Sequence, residues 1–199
     1  DIEKIKPSLI ITGTSKDYSL DKKVLTIGKQ GDIPTLSMVD YWGNTKKRFG
    51  KKLEYLPDYI LVMDEKMKND LIQDGIAENK IFITGNPRFD ALKDLKKEKE
   101  DRNVIVFYSQ PFSEMRSKDF DEVRIFWDVV ESLEKIDPQK KIIIKFHPAE
   151  KNREKFNEII KKSNVKITIE KVLDARQLTQ KAGLVVGINS MALFEAVLM

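Results

Sequence analysis

Short apolar runs rich in β-branched residues alternate along the chain with longer amphipathic segments. The apolar runs are nearly continuous, which is typical of strands buried on both faces of a parallel sheet. Strand and helix in repeated alternation predict an α/β protein, with doubly wound parallel sheets that helices cover on both sides. The predicted strands are residues 8–12, 34–39, 59–63, 80–84, 103–109, 141–146, 165–169 and 183–188.

Two of the segments between these strands carry clear helix signals. Residues 64–75 begin at Asp64, whose side chain can cap a helix, and end at Gly75. A second segment, from Ser117 to Ile136, places its apolar residues on one helical face. These residues are Phe120, Val123, Phe126, Trp127, Val130 and Leu133.

A charged stretch interrupts the alternation near the middle of the chain. Residues 93–103 read KDLKKEKEDRN and offer no apolar face, so residues 95–102 are predicted to be a linker. The linker separates two Rossmann-like domains, 1–94 and 103–199. We expect both domains to be partial, because the first strand starts close to residue 1 and the last helical pattern stops on AVLM without a capping residue.

Composition and charge narrow the class of protein. The formal charge of +4 comes from 36 basic and 32 acidic residues without a concentrated basic stripe, so we expect no nucleic-acid partner. No apolar run reaches the roughly 18 residues that a membrane span needs. The absence of cysteine excludes a disulfide framework, which is consistent with a cytoplasmic protein. The chain has one histidine and no cysteine, so we expect no metal site.

The loop after strand 141–146 contains the single histidine. Ligands of doubly wound sheets bind beyond the carboxyl ends of the strands, where KFHPAE places His147. Its imidazole can hydrogen-bond a phosphate or act as an acid or base near neutral pH, and Lys145 adds positive potential. The alternative is a loop histidine that only caps a neighbouring group.

The segment GINSMALFEA predicts a second anion site after the last strand. Asn189 or Ser190 can cap the following helix, so its first N–H groups, including that of Met191, face outward. Glu195 lies a little more than one turn inside, from where its carboxylate can accept two hydroxyl hydrogen bonds from a ribose. A solvated face is the alternative, which the apolar neighbours of Glu195 disfavour.

Other strand ends supply further candidates. Ser109 and Gln110 follow the first strand of the second domain and can approach a phosphate. In the first domain, polar or aromatic residues that can line a cleft follow three strands, although purely structural turns remain an alternative. They are Gly13, Thr14 and Ser15; Asp40, Tyr41 and Trp42; and Asn86 and Arg88.

Several nucleotide-binding and hydrolase motifs are absent from the sequence. It has no GxGxxG after a strand, no GxxxxGK[ST] and no GxSxG. A dinucleotide fingerprint, a P-loop and an α/β-hydrolase nucleophile are therefore not predicted.

The pairing of KFHPAE with GLVVGINSMALFEA resembles the C-terminal domain of GT-B-fold enzymes that act on nucleotide sugars. This group includes UDP-N-acetylglucosamine 2-epimerases and bacterial capsule-type glycosyltransferases. KPSLIITGTS, IPTLSMVDYW and KIFITGNPRFDAL are similar to the latter part of their N-terminal domain. The resemblance implies two Rossmann-like domains facing a cleft, with 1–94 on the acceptor side and 103–199 binding the nucleotide sugar.

The resemblance also implies roles for the candidate residues. His147 would contact the nucleotide phosphates, Ser190 and its neighbouring amides would hold phosphate, and Glu195 would bind the ribose hydroxyls. The cleft would take the sugar or the acceptor. Its predicted lining residues are Gly13, Thr14, Ser15, Trp42, Asn86 and Arg88.

Two departures from the epimerases favour a transferase. Thr14 stands where the epimerases carry a carboxylate, and NTKKRFG at 44–50 lacks their paired glutamates. We therefore interpret the chain as a metal-independent glycosyltransferase of surface polysaccharide or glycolipid biosynthesis, in which Asp40 deprotonates the acceptor and His147 steadies the departing nucleotide. The alternatives are a 2-epimerase-like isomerase and a non-catalytic module that binds sugar nucleotides.

The transferase interpretation carries expectations about partners. The substrate would be a nucleotide-sugar donor, with no further cofactor, and the acceptor would be a glycan or a lipid-linked molecule. A lipid-linked acceptor would bring the protein into peripheral contact with the inner face of the membrane.

Overall fold

The computed structural model describes residues 2–16, 18–93, 101–115 and 120–199. Within these ranges, eight strands form two four-stranded sheets, all of whose pairings are parallel. The chain divides into two compact units, Asp1–Arg88 and Phe89–Met199, with one sheet in each. The predicted α/β class with parallel sheets is confirmed.

The sheet of the first unit has the order β1-β2-β3-β4. Its core forms where Phe49, Ile60 and Met67 pack together, all of them almost inaccessible to solvent. The strands are β1 (Ile10–Thr12), β2 (Thr35–Met38), β3 (Tyr59–Val62) and β4 (Ile81–Ile83). The helices are α1 (Ile2–Ile5), α2 (Leu20–Gln30), α3 (Thr45–Phe49) and α4 (Glu65–Gln73), followed by a 3-10 turn (Glu78–Lys80). Helix α5 (Pro87–Lys93) begins at the end of the first unit and continues into the second.

The helix predicted at 64–75 is α4, and its predicted N-cap is confirmed. The Asp64 side chain accepts a hydrogen bond of 2.7 Å from the backbone N–H of Met67, which satisfies one donor of the first turn. Gly75 follows the end of the helix with a φ of 94°, a conformation that favours glycine.

The sheet of the second unit has the order β7-β6-β5-β8. Phe107, Phe126 and Phe156 fill the space between this sheet and its helices, with ring centroids 4.9 and 5.4 Å apart along the series. The strands are β5 (Asp101–Tyr108), β6 (Lys141–Lys145), β7 (Lys166–Ile169) and β8 (Ala182–Gly187). The helices are α6 (Glu122–Ile136), α7 (Asn157–Lys162, after a 3-10 turn at Glu154–Phe156), α8 (Ala175–Lys181) and α9 (Met191–Leu198).

The helix predicted from Ser117 is α6, which begins later, at Glu122. Asp121 caps it by accepting hydrogen bonds from two backbone N–H groups of the first turn, while residues 117–119 lie outside the described part of the chain. Phe126 and Val130 are buried as predicted, but Phe120 precedes the helix, and both Phe120 and Trp127 are exposed. The predicted apolar face was therefore too wide.

The predicted linker overlaps a strand. Residues 95–100 lie outside the described residues, but Asp101 and Arg102 belong to β5, where Asp101 pairs with Ala182. Both residues are exposed at the amino end of the sheet, where charged side chains reach water at little cost. Because both residues are charged, the hydrophobic pattern predicted that the strand begins at residue 103, two residues too late. In the described part of the chain, no helix combines the length and apolar character needed to cross a membrane.

Candidate functional site

Two amide side chains join the ends of β5 and β8. The Nε2 of Gln110 donates a hydrogen bond of 2.9 Å to Oδ1 of Asn189, and the Asn189 backbone N–H donates one of 2.9 Å to Oε1 of Gln110. Because both bonds connect the same two residues, they fix the spacing of the two loops. Gln110 and Asn189 thus meet at the carboxyl edge of the second sheet, where ligands of such sheets bind.

A second pair of contacts joins the ends of β5 and β6. The backbone N–H of Ser109 donates to the carbonyl of Lys145 at 3.0 Å, and the Ser109 hydroxyl donates to Oε1 of Glu150 at 3.0 Å. Ser109 and Glu150 are both buried. The Ser109 hydroxyl therefore holds two loops together, and its contact with a phosphate stays a prediction.

His147 lies between these tied loops and solvent. Its side chain is exposed, and its Nδ1 accepts a hydrogen bond of 3.1 Å from the backbone N–H of Ala149. A neutral imidazole that accepts at Nδ1 carries its proton at Nε2. His147 can therefore donate from Nε2 to an anion without being protonated first.

Lys145 is bound to the neighbouring loop that follows β7. Its ammonium group donates a hydrogen bond of 2.6 Å to the backbone carbonyl of Leu173, in the loop between β7 and α8. The ammonium therefore stabilises the neighbouring loop. Its predicted contact with a phosphate is not part of this arrangement and stays a prediction.

Ser190 is the N-cap of α9, as the sequence predicts. Its hydroxyl oxygen accepts a hydrogen bond of 3.2 Å from the Ala192 backbone N–H, which leaves its own O–H as a donor. Met191 is the first residue of the helix, so its N–H lies outside the intrahelical ladder and carries the positive end of the helix dipole. Gly187 makes this turn close to β5, because a Cβ there would lie 3.1 Å from the carbonyl oxygen of Tyr108.

Glu195 is on the buried face of α9. Only 2% of the residue is exposed, and its Oε2 lies 3.6 Å from Nε of Arg176 on α8. Phe194, Val197 and Leu198 are exposed, so the helix turns its carboxylate inward and part of its apolar surface outward. The sequence argument against a solvated Glu195 is confirmed, whereas its contact with a ribose stays a prediction.

Tyr108, which sequence reasoning missed, connects β5 with α8. Its hydroxyl donates a hydrogen bond of 2.6 Å to the carbonyl of Ala175 and lies 2.8 Å from the hydroxyl of Thr179. Burial raises the pKa of Tyr108 to about 12, and the negative charge of Glu195 acts in the same direction. Tyr108 therefore stays protonated near neutral pH and keeps its donor.

Sequence reasoning also missed a buried ion cluster, which consists of Glu122, Glu150 and Lys155. The Lys155 ammonium contacts the carboxylate of Glu122 and lies 3.0 Å from Oε1 of Glu150. Glu122 also accepts hydrogen bonds from the backbone N–H of Ser113, at 3.0 Å, and from its hydroxyl, at 2.5 Å. The cluster thus connects α6 with the loops that follow β5 and β6.

Hydrogen bonds keep this cluster charged despite its burial. Burial acts to raise the pKa of Glu122, but hydrogen bonds from Lys155 and Ser113 outweigh it and hold that pKa below its usual value. Burial acts to lower the pKa of Lys155, but hydrogen bonds to Glu122 and Glu150 raise it overall. Glu122 is therefore ionised and Lys155 protonated at neutral pH.

A buried arginine, Arg48, contacts two of the predicted site residues, Thr14 and Asp40, at the carboxyl edge of the first sheet. Nη1 of Arg48 donates to the carbonyl of Thr14 at 2.8 Å, to the Thr14 hydroxyl at 2.6 Å and to Oδ1 of Asp40 at 3.1 Å. Arg48 is 4% exposed, whereas the Asp40 side chain is 73% exposed. The loops after β1 and β2 are therefore fixed by a residue that the sequence did not reveal.

The remaining candidates of the first unit support neighbouring loops. Nε1 of Trp42 donates to the carboxylate of Asp64 at 3.0 Å, so the indole contacts the N-cap of α4. The amide of Asn86 contacts the sulfur of Met63 at 3.2 Å and accepts from the Arg88 backbone N–H at 3.0 Å. Gly13 and Ser15 lie in the exposed loop after β1, where the Ser15 N–H donates to the carboxylate of Asp21 at 2.7 Å. Their contacts with a sugar or acceptor stay predictions.

The parallel sheets and their loop-bearing carboxyl edges place the chain in the GT-B-like class of α/β proteins, and solved structures agree. UDP-GlcNAc 2-epimerase from Neisseria meningitidis bound to UDP-GlcNAc has a TM-score of 0.65 at 15% identity, covering 94% of this chain and 56% of that one. The Methanocaldococcus jannaschii enzyme has a TM-score of 0.64 at 21% identity, covering 99% and 60%. Staphylococcus aureus MnaA with UDP has a TM-score of 0.66 at 13% identity, covering 94% and 55%.

Sequence comparison identifies the family. Residues 53–199 match the family model described as UDP-N-acetylglucosamine 2-epimerase. The curated UDP-N-acetylglucosamine 2-epimerase of M. jannaschii is 34% identical over 129 residues, which are 58% of this chain and 35% of that protein. The chain belongs to the UDP-N-acetylglucosamine 2-epimerase family. It spans about a third of the curated relative and little more than half of the solved structures.

The comparisons decide between the two enzyme interpretations only in part. They confirm the resemblance to nucleotide-sugar enzymes of the 2-epimerase and GT-B group. They support the epimerase alternative better than the glycosyltransferase interpretation, because the family model and the curated relative are both of the epimerase kind.

Proposed function

We propose that the chain is part of a nucleotide-sugar enzyme with 2-epimerase-type chemistry, and that its second unit binds the uridine diphosphate portion of the substrate. The observation that carries this proposal is the joining of three loops at one sheet edge. Gln110 pairs with Asn189 and Ser109 pairs with Glu150, so the loops that bear His147 and Ser190 are held in place on either side of β5.

The donors at this edge suit a diphosphate. His147 offers an N–H at Nε2, Ser190 offers its hydroxyl, and Met191 offers a backbone N–H at the positive end of α9. Neutral donors that are fixed before the ligand arrives bind phosphate oxygens without a large cost of ordering. In this proposal the nucleotide sugar is the substrate and no further cofactor is involved.

Glu195 is proposed to accept hydrogen bonds from the ribose hydroxyls. Its position one turn inside α9 lies behind the phosphate donors, and Arg176 orients its carboxylate at 3.6 Å. A buried carboxylate discriminates strongly for hydroxyl donors, because an analogue without them leaves the charge poorly satisfied.

Two similar structures support the choice of ligand. The N. meningitidis enzyme is described as bound to UDP-GlcNAc, and S. aureus MnaA is described in a co-structure with UDP. At identities of 15% and 13%, these proteins share their fold with this chain. We propose that the chain binds the same uridine nucleotide.

The binding part of the proposal is tested by isothermal titration calorimetry of the chain with UDP. We expect His147→Ala to weaken binding by about tenfold or more, because a charge-assisted hydrogen bond to phosphate is lost. Lys141→Ala is the matched control. Lys141 is exposed at the amino end of β6, the strand that precedes the loop of His147. Equal affinity of the wild type and the His147→Ala variant would remove the assigned role.

A glycosyltransferase is the second candidate, and the first unit supplies the observation that favours it. The hydroxyl of Thr14, bonded to Arg48, stands where the resemblance implies a carboxylate, and Asp40 presents an exposed carboxylate beside it. Epimerisation at C2 removes and returns the C2 proton, whereas glycosyl transfer leaves that proton in place. Incubation with UDP-GlcNAc in D2O therefore separates the two: deuterium at C2 indicates an epimerase, and an acceptor-dependent release of UDP without deuterium indicates a transferase.

A further inference from the structure

A cavity in the first unit is lined mainly by lysine side chains. Its volume is about 650 Å³, and it opens between the loop after β1, the start of α2 and the region of α3. Five ammonium groups and one carboxylate surround it. These residues are Lys16, Lys22, Lys46, Lys47, Lys51 and Glu54.

Lys22 is the buried residue among those that line this cavity. It is buried within α2, and its ammonium donates hydrogen bonds to the backbone carbonyls of Lys47, at 2.7 Å, and Lys16, at 3.4 Å. These bonds tie the segments that carry the other lysines to one helix. The lysines therefore project from a backbone that is fixed on two sides.

Three of these lysines carry positive charge that no described carboxylate pairs with. In the described ranges, no carboxylate lies within salt-bridge distance of the ammonium groups of Lys46, Lys47 or Lys51. The carboxylate of Glu54 accepts a hydrogen bond of 3.0 Å from the backbone N–H of Lys52, and backbone hydrogen bonds lower the pKa of Glu54. Like charges gathered around one hollow create a positive potential that concentrates anions.

We propose that this cavity binds the phosphate group of a small phosphate ester. Lysine ammonium groups bind phosphate as point charges, and one phosphate can satisfy several of them at once. The volume lies in the range of small-ligand sites. The exposed ring of Tyr18, which also lines the cavity, offers an apolar surface to the carbon portion of the ester. All residues that line the cavity belong to the first unit, whereas the residues of the proposed nucleotide site belong to the second.

The test is an NMR titration of the 15N-labelled chain with inorganic pyrophosphate in the presence of saturating UDP, which occupies the proposed nucleotide site. We expect saturable shifts of the amide resonances of residues 46–51. The double variant Lys46→Ala/Lys47→Ala should weaken binding at these residues by about tenfold, because two charged donors are removed. Added salt should weaken it further, since exposed charges are screened.

The control variant is Lys29→Ala/Lys66→Ala, which removes the same charge from exposed positions on α2 and α4. It should bind pyrophosphate as the wild type does. Equal losses in the two double variants, or shifts of residues 46–51 that never saturate, would reduce the effect to general charge attraction and overturn the proposal.

The source of the phosphate is separated by a second arm, sedimentation with vesicles of phosphatidylcholine with and without phosphatidylglycerol. Pyrophosphate binding without vesicle binding identifies a soluble ester. Vesicle binding that requires phosphatidylglycerol, Lys46 and Lys47 identifies a lipid headgroup. No response of residues 46–51 to either probe would overturn the proposal, while His147→Ala would still report separately on UDP.

Discussion

Arg48 illustrates how much of each site depends on one buried side chain. Its guanidinium contacts the Thr14 hydroxyl and the Asp40 carboxylate, and it also donates to the carbonyls of Tyr41, at 3.3 Å, and Gly43, at 3.3 Å. Asp40 gains its position from this contact. Any chemistry assigned to Asp40 therefore depends on Arg48.

Replacement of Arg48 tests this dependence. Arg48→Met retains much of the volume but removes every donor, so several carbonyls lose their partners in a buried place. We expect a loss of about 3 kcal/mol in the free energy of unfolding of the first unit. Urea unfolding followed by the fluorescence of Trp42, with Trp127→Phe as background, measures it.

Lys29→Met is the control for this measurement, because Lys29 is exposed on α2. It should change the free energy of unfolding by less than about 0.5 kcal/mol. Similar unfolding midpoints for the two variants would show that the contacts of Arg48 add little to the stability of the unit.

For single residues, the sequence predicted which residues lie at the strand ends better than it predicted which side chains bond to each other. His147, Ser190 and Asp40 could be singled out because each follows an apolar run that ends a strand. Arg48 and Lys155 could not, because they lie inside charged stretches and their burial depends on contacts made far away in the chain. Lys155, for example, lies 33 positions from its partner Glu122. Such pairings leave no periodic signal.

At the element scale, the buried ion cluster determines how α6 and two site loops are held. Glu122 is the first residue of α6. Its carboxylate accepts hydrogen bonds from the backbone N–H and the hydroxyl of Ser113, which lies in the loop after β5. Lys155 carries the connection to Glu150, which in turn accepts from Ser109. The loops after β5 and β6 therefore depend on the charge state of Glu122 and Lys155.

The lowered pKa of Glu122 predicts a pH dependence with a definite sign. Because the carboxyl has a pKa below its usual 4.5 when folded, its charged form stabilises the fold above about pH 4.5, and this contribution is lost as the pH falls through the folded pKa. Glu122→Gln should reduce the free energy of unfolding of the second unit by about 2 kcal/mol at pH 7. The difference from the wild type should shrink as the pH falls below 4.5.

Urea unfolding of the second unit at several pH values measures this effect through Trp127 fluorescence. Glu131→Gln is the matched control, because Glu131 is exposed on the same helix and pairs with Lys135 at its surface. A difference between the Glu122→Gln variant and the wild type that stays constant down to low pH would contradict the charged state of the cluster.

Element prediction succeeded where burial on both faces made the pattern simple. All eight strands are confirmed within the described residues, because parallel strands need continuous apolar runs. Boundaries were less certain where charge overlaps structure, as at Asp101 in β5, or where a cap shortens a helix, as at Asp121 before α6. In both places local contacts override the hydrophobic pattern.

At the scale of the whole molecule, each unit has its own parallel sheet, core and carboxyl edge with tied loops. The second unit carries His147 and the N-terminus of α9 at its carboxyl edge, and the first holds Asp40 with Arg48 and a lysine-lined cavity. The fold class and family agree with the resemblance seen in the sequence. The Thr14 position and the lysines of α3 distinguish this chain from what that resemblance implies.

The proposed division of roles between the units is tested most directly by mapping where UDP binds. In an NMR titration of the labelled chain with UDP, we expect saturable shifts for the amides of residues 109–110, 147–149 and 189–191, while residues 10–16 and 35–42 of the first unit stay unchanged. Shifts confined to the first unit, or an absence of saturable shifts at the carboxyl edge of the second sheet, would contradict it.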